Sequence, residues 1–93
     1  MKFEFDLAKS KANAAKHGID FHAAQELWAD ENRLVEPARS DTEQRQRLIA
    51  QSDGKLWAAI FTERGENIRI ISVRRARDNE REMYEQTEDQ NDG

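Results

Sequence analysis

A chain of 93 residues, 37% hydrophobic and 37% charged, has room for one core and not for two, because single cores run to about 100–150 residues. Its mean hydropathy of −1.04 would suit disorder if the charge were unbalanced, but 15 basic against 19 acidic side chains leave only −4, and the apolar residues fall in patterned clusters. No stretch approaches the ~18 apolar residues that cross a bilayer, the start lacks the apolar run of an export signal, and the lack of cysteine excludes disulfides, thiolate metal sites and cysteine nucleophiles. With His17 and His22 the only imidazoles, the expectation is a cytoplasmic protein with no membrane association, no dedicated metal site and no cofactor.

The charge is segregated. Residues 77–93 hold seven acids and two bases, a net of −5, so residues 1–76 carry the other 13 bases and 12 acids, a net of +1. A local arginine patch can therefore meet phosphate even though the whole chain is acidic, since steering follows the distribution of the field. Arginines that merely solvate a strand and a helix would give the same count.

In chain order, Phe3 and Phe5 alternate with Lys2 and Glu4 as an opening strand, and Asp6 is a good N-cap for a helix over 7–17 that Gly18 ends. Asp20 can cap a second helix over 21–29, with Phe21, Ala24, Leu27 and Trp28 near one face. Leu34-Val35 and 47–50 read as two short strands with a polar loop over 37–42 between them. Ser52-Asp53-Gly54-Lys55 is a turn signal before the apolar run 56–62, and 63–67 turns the chain into a strand over 68–73, completing a hairpin. A last helix over about 77–88 puts Met83, Tyr84 and Thr87 on one face with Glu80. The order β-α-α-β-β-β-β-α, with late strands joined by short turns, predicts an α+β fold: an antiparallel sheet packed by helices. The domain is taken as 1–87 and the remainder, 88–93, as an acidic disordered tail.

Lys9, Asn13, Lys16 and His17 recur at i, i+4, i+7 and i+8 of the first helix, an arc of about 100°. The opposite arc, Ala8, Ala12 and Ala15 beside Leu7, is small and apolar and is expected to lie against the sheet. A solvated face, with Lys16 and His17 favoured at the helix C-terminus by the macrodipole, accounts for the same spacing. Strict alternation on the last strand puts Arg69, Ile71, Val73 and Arg75 on one face and Ile68, Ile70, Ser72 and Arg74 on the other. Arg74 and Arg75 then diverge, and Glu80 is the natural partner for one of them. Arg64, in a tight turn, does little for a core and suits a phosphate contact.

Phe3-Glu4-Phe5-Asp6, Lys9, Asn13, the Lys16-His17-Gly18 tripeptide with Ile19, Phe21 and Ala24, then Phe61-Thr62-Glu63-Arg64-Gly65, the run from Ile68 to Ala76, Glu80 and Tyr84 together resemble the BrnT family across residues 3–84. Residues 30–55 match loosely: Gln46-Arg47-Leu48-Ile49 stands where the family often has a Glu-Arg pair, and Gln51 where a glycine is usual. The resemblance implies a RelE-like fold and the ribonuclease toxin of a bacterial type II toxin–antitoxin pair. It also implies neutralisation by a BrnA-type ribbon-helix-helix antitoxin, in a complex that represses its own promoter; a homodimer within that complex is allowed.

A metal-independent endoribonuclease must deprotonate the ribose 2′-hydroxyl, offset charge on a phosphorane-like transition state and protonate the 5′ oxygen. His17 suits proton transfer, Lys16, Arg64, Arg74 and Arg75 suit charge stabilisation, and Tyr84 can donate its phenolic proton or stack on a base. Lys9, Asn13 and Arg69 complete the set as RNA contacts. A non-catalytic, antitoxin-binding module of the same fold is the competing reading. Direct DNA binding by this chain is weaker, since nothing resembles a recognition helix.

Overall fold

The computed structural model describes residues 1–39 and 44–92, with side chains through Thr87. Its elements are β1 (Lys2–Glu4), α1 (Leu7–His17), a 3-10 helix (Ala23–Ala29), β2 (Leu34–Ala38), β3 (Arg45–Ser52), β4 (Lys55–Arg64), β5 (Asn67–Arg75) and α2 (Asp78–Asp92). The fold is α+β, with a five-stranded sheet in the order β1-β5-β4-β3-β2.

The caps of α1 stand where the residue types put them. Asp6 accepts from the Lys9 N–H at 3.0 Å, and Gly18, at φ 80°, closes the helix in the left-handed conformation that glycine adopts at least cost. Asp20 caps the next segment through the Ala23 N–H at 2.7 Å, but that segment winds as a 3-10 helix rather than the expected α-helix over 21–29. β2 runs on through Pro37, which an edge strand tolerates because the missing N–H faces away from the ladder. The expected polar loop over 37–42 thus begins later, and its part within 40–43 lies outside the described residues. The acidic tail expected at 88–93 lies outside the described side chains, and Gly93 outside the described residues.

The sheet is mixed, not antiparallel throughout: β1 pairs parallel with β5, Lys2 opposite Asn67 and Glu4 opposite Arg69. A period-two pattern specifies which side chains face inward but carries no information on strand direction. The strict alternation expected on β5 also fails. Ile60 pairs with Ser72 and Phe61 with Ile70, so Ile71 is an extra residue, a β-bulge that reverses the phase of everything after it. Ile68, Ile70 and Val73 accordingly share one core.

That core lies under α1 and the 3-10 helix, where Phe21, Ala24 and Leu27 pack on Leu48, Ala50, Trp57, Ala59 and Phe61. Phe21 and Leu27 are almost wholly buried, each contributing on the order of 2–3 kcal/mol. Trp28 bridges Phe3 and Phe61 with edge-on ring contacts at 5.1 and 5.3 Å. On the opposite face α2 covers a smaller cluster of Ile49, Leu56 and Tyr84, with Leu34 and Ala76 against it.

Candidate functional site

The helix face expected to pack on the sheet is the exposed one. Leu7, Ala8, Ala12 and Ala15 face solvent, and the buried residues of α1 are Ser10 and Asn13. The reason is the short β1, which pairs with β5 only as far as Arg69 and leaves the β5 edge open beyond it. An open strand edge needs hydrogen-bonding groups rather than methyls. Asn13 supplies them: its Oδ1 accepts from the Val73 N–H at 3.1 Å, and its Nδ2 donates to the Val73 and Ile19 carbonyls at 2.9 and 2.8 Å. Ser10 Oγ accepts from the Phe21 N–H at 2.9 Å. Asn13, expected to contact RNA, spends its polar atoms on the chain itself.

This docking forms a cleft of about 240 Å³ between α1 and the β5 edge, lined by Lys9, Ala12, Asn13, Lys16, His17, Phe21, Ile71 and Ser72. It brings together two ammonium groups and one half-buried imidazole. The bulge matters here, since Ile71, the extra residue without a β4 partner, becomes part of the cleft wall.

The remaining expected site residues are dispersed. α1 starts beside Arg69 and reaches Val73 at Asn13, so it runs in the direction of β5. Val73 pairs with Ala59, and from Ala59 to Arg64 is about 17 Å of strand at ~3.3 Å per residue. His17 lies a helical turn further on, so Arg64 and His17 stand at opposite ends of the sheet. Arg75 shares the His17 end: its guanidinium lies 5.4 Å above the Trp57 ring, and Trp57 lines a hollow with Gly18.

Arg74 turns to the other face and meets Glu80 in a bidentate pair at 2.7 and 2.9 Å. The fully buried Glu80 carboxylate also accepts from Arg47 at 2.8 Å and from the Arg77 N–H at 2.8 Å, half of a capping box for α2. Burial alone would raise the Glu80 pKa, but the Arg74 and Arg77 hydrogen bonds with the Arg74 and Arg47 charges outweigh it and hold it below the ordinary 4.5. The Glu80 hydrogen bond, reinforced by its charge, raises Arg74 in turn against its burial. Arg47 bridges further to Glu36, its cross-strand partner.

Tyr84 is 2% exposed, and its hydroxyl donates to Asp30 Oδ2 at 2.7 Å, so it is a strut between α2 and the 3-10 turn rather than a member of the His17 cleft. Asp30 also receives the Gln51 and Asn32 N–H groups, and these bonds with the Arg33 charge overcome burial to lower its pKa from 3.8. Arg69 faces Glu4 at 3.7 Å. The sequence reading missed Asp30, Ser10 and the Arg47 bridge. Alternation of Arg47 with Leu48 and Ile49 was the one available sign that its side chain shares a face with Ile49.

Among the described residues no three His, Asp or Glu side chains converge as a metal-binding group, and no helix is long and apolar enough to cross a membrane. A family model matches residues 5–80 and gives the class: the chain is a toxin of the type II toxin–antitoxin class. The matching family is described as the ribonuclease toxin BrnT of type II toxin–antitoxin systems, and the chain belongs to it. No individually curated protein matches the chain.

Proposed function

We propose that this chain is a metal-independent endoribonuclease of RelE-like fold, acting on cellular RNA in the bacterial cytoplasm, with the reaction carried out in the cleft between α1 and the β5 edge. The observation that carries the reading is the convergence there of His17, Lys16 and Lys9. His17 takes the proton of the ribose 2′-hydroxyl as that oxygen attacks the adjacent phosphorus, and returns a proton to the 5′ oxygen as the P–O bond breaks. Lys9 and Lys16 offset the charge that grows on the phosphorane oxygens, and Arg75, at the same end of the sheet, adds a donor that can grip phosphate bidentately. Arg64, at the far end, is left as a contact to RNA distant from the scissile bond. The two histidines and absent cysteines of the sequence favour proton transfer by side chains over metal-bound water.

A BrnA-type ribbon-helix-helix antitoxin neutralises the chain, and the complex binds promoter DNA through the antitoxin. The test is cleavage of RNA by the purified chain in EDTA. Activity is expected to persist in chelator and to vanish in His17→Ala with the fold intact; cleavage that disappears with EDTA and returns with Mg²⁺ or Mn²⁺ overturns the acid–base scheme. An intact fold that never cleaves RNA leaves the antitoxin-binding module.

A further inference from the structure

On the sheet face opposite the His17 cleft, α2 covers only the half that holds Leu34, Ile49 and Leu56. The other half opens into a hollow of about 440 Å³ lined by Pro37, Ala38, Arg39, Arg47, Ile60 and Arg74. Three guanidinium groups from three separate segments thus surround an apolar floor. Arg47 and Arg74 are held in place from beneath by the buried Glu80 carboxylate, and each keeps about a quarter of its side chain exposed. Among the described residues the acids in contact are Glu36 and Glu80, which leaves the three arginines a net charge of +1.

The neighbouring row extends the same character. Thr62 pairs with Arg69 on β5, which faces Glu4 at 3.7 Å, and Arg45 on β3 lies one residue beyond the Gln46–Phe61 pair. At ~4.8 Å between strands and ~3.3 Å per residue, Arg45 and Arg69 stand about 10 Å apart, and Arg45 and Arg47 about 7 Å. Among the described residues, three buried polar atoms here make no hydrogen bond: Arg47 Nε, the hydroxyl of the 4%-exposed Thr62, and Glu36 Oε1, which is ion-paired to Arg47. Two donors, Arg47 Nε and the Thr62 hydroxyl, are thus without a partner among the described residues on a face that also gathers arginines.

We infer that this hollow, formed by Arg39, Arg47 and Arg74 over Ile60, is a binding site for single-stranded RNA, engaging backbone phosphates remote from the scissile bond. A grid of arginines suits a chain of repeating phosphates, which only accept hydrogen bonds, and the apolar Ile60 and Ala38 with the guanidinium planes suit the faces of unpaired bases. RNA brings a charge and a planar base at every nucleotide, whereas an acidic peptide has a planar group only where its sequence supplies an aromatic residue. The site goes beyond the proposed reaction, because it lies across the sheet from His17 and can hold RNA whether or not the cleft cleaves it.

The probe is a fluorescent 12-nucleotide 2′-O-methyl RNA, which lacks the attacking hydroxyl, titrated with the full chain by anisotropy at several salt concentrations. Arg39 is exposed and outside the Glu80 network, so Arg39→Ala and Arg39→Glu leave the fold intact. Losing one phosphate contact on a single strand lowers the salt slope by about 0.7 and weakens binding about fivefold at 0.1 M salt; charge reversal costs about 25-fold. Ala38→Glu, which adds one negative charge at the hollow, is expected to match Arg39→Ala at about fivefold, while Lys11→Glu on α1, the same two-unit change as Arg39→Glu, leaves affinity within about twofold. Wild-type affinity and slope in Arg39→Glu and Ala38→Glu, or a wild-type chain that does not bind the probe, overturns the inference. So does loss of antitoxin binding with the RNA affinity unchanged, which reassigns the hollow to an acidic peptide. Cleavage by wild type with no effect of these variants leaves the proposed reaction standing without this site, and binding without cleavage does the reverse.

Discussion

Replacing Asn13 by alanine separates architecture from RNA contact at a residue whose helix face suggests the latter. The substitution removes the hydrogen bonds to Val73 N–H, Val73 C=O and Ile19 C=O at once. At ~1 kcal/mol net for each bond the loss is about 3 kcal/mol, and the buried backbone groups left without partners raise it to about 5 kcal/mol. For a domain of this size a loss of 1 kcal/mol lowers Tm by ~4–8 °C, so Asn13→Ala is expected to melt at least ~12 °C below wild type. It should also aggregate on heating, because the uncovered β5 edge is a template for strand pairing. Differential scanning calorimetry with light scattering measures both. Asn13→Asp is expected to fail in the same way, since it keeps an acceptor for the Val73 N–H but sets a carboxylate against two carbonyls. An Asn13→Ala protein that melts within 3 °C of wild type and yet loses RNA affinity would refute the edge-closing role and return Asn13 to the RNA interface.

His17→Ala is expected to abolish RNA cleavage and growth arrest while Tm stays within a few degrees, since an imidazole at a helix end contributes at most ~1 kcal/mol through the macrodipole; calorimetry beside a gel assay checks it. Arg64→Ala, at the other end of the sheet, is expected to cleave a dinucleotide at the wild-type rate and to lose efficiency only on long RNA, and loss of dinucleotide cleavage would bring Arg64 into the reacting centre. Stability is expected to fall as pH drops through and below about 4.5, because Glu80 and Asp30 have lowered folded-state pKa values: their contribution is complete above the unfolded-state values and is lost on protonation. Urea midpoints at pH 6 and pH 3.5 measure it, and a Glu80→Gln protein with an unchanged pH dependence would remove Glu80 from the account. Glu80→Ala, which leaves the Arg74 and Arg47 side chains without their shared carboxylate, is expected to lose about 3–5 kcal/mol in chemical denaturation.

The sequence carried what local physics writes into it. Asp6 and Gly18 mark α1 to the residue, because capping depends only on neighbours in the chain. The Arg74–Glu80 pair was legible too, since a charge diverging from a strand end needs a nearby opposite charge. The buried side of α1 was not, because apolar patterning presumes that a helix packs on side chains, whereas this one closes an open strand edge with Ser10 and Asn13. The faces of β5 were misread for a related reason: nothing in Ile70-Ile71-Ser72 distinguishes a bulged isoleucine from a regular one. Lys9, Lys16 and His17 share a cleft because they share a helix arc. Arg64, Arg74 and Tyr84, drawn from other elements, could be located only by topology.

The pairing of the first strand with the last bears on when the molecule comes into being. Lys2 meets Asn67 and Glu4 meets Arg69, so the N-terminal strand has no partner until β5 has been made. At ~5–20 residues per second, synthesis from Glu4 to Arg69 takes roughly 3–13 s, and throughout that interval α1 has no β5 edge to close. The cleft between them is therefore absent from the nascent chain until β5 has been made, so the folded cleft and its charges cannot form while the earlier elements are being synthesised.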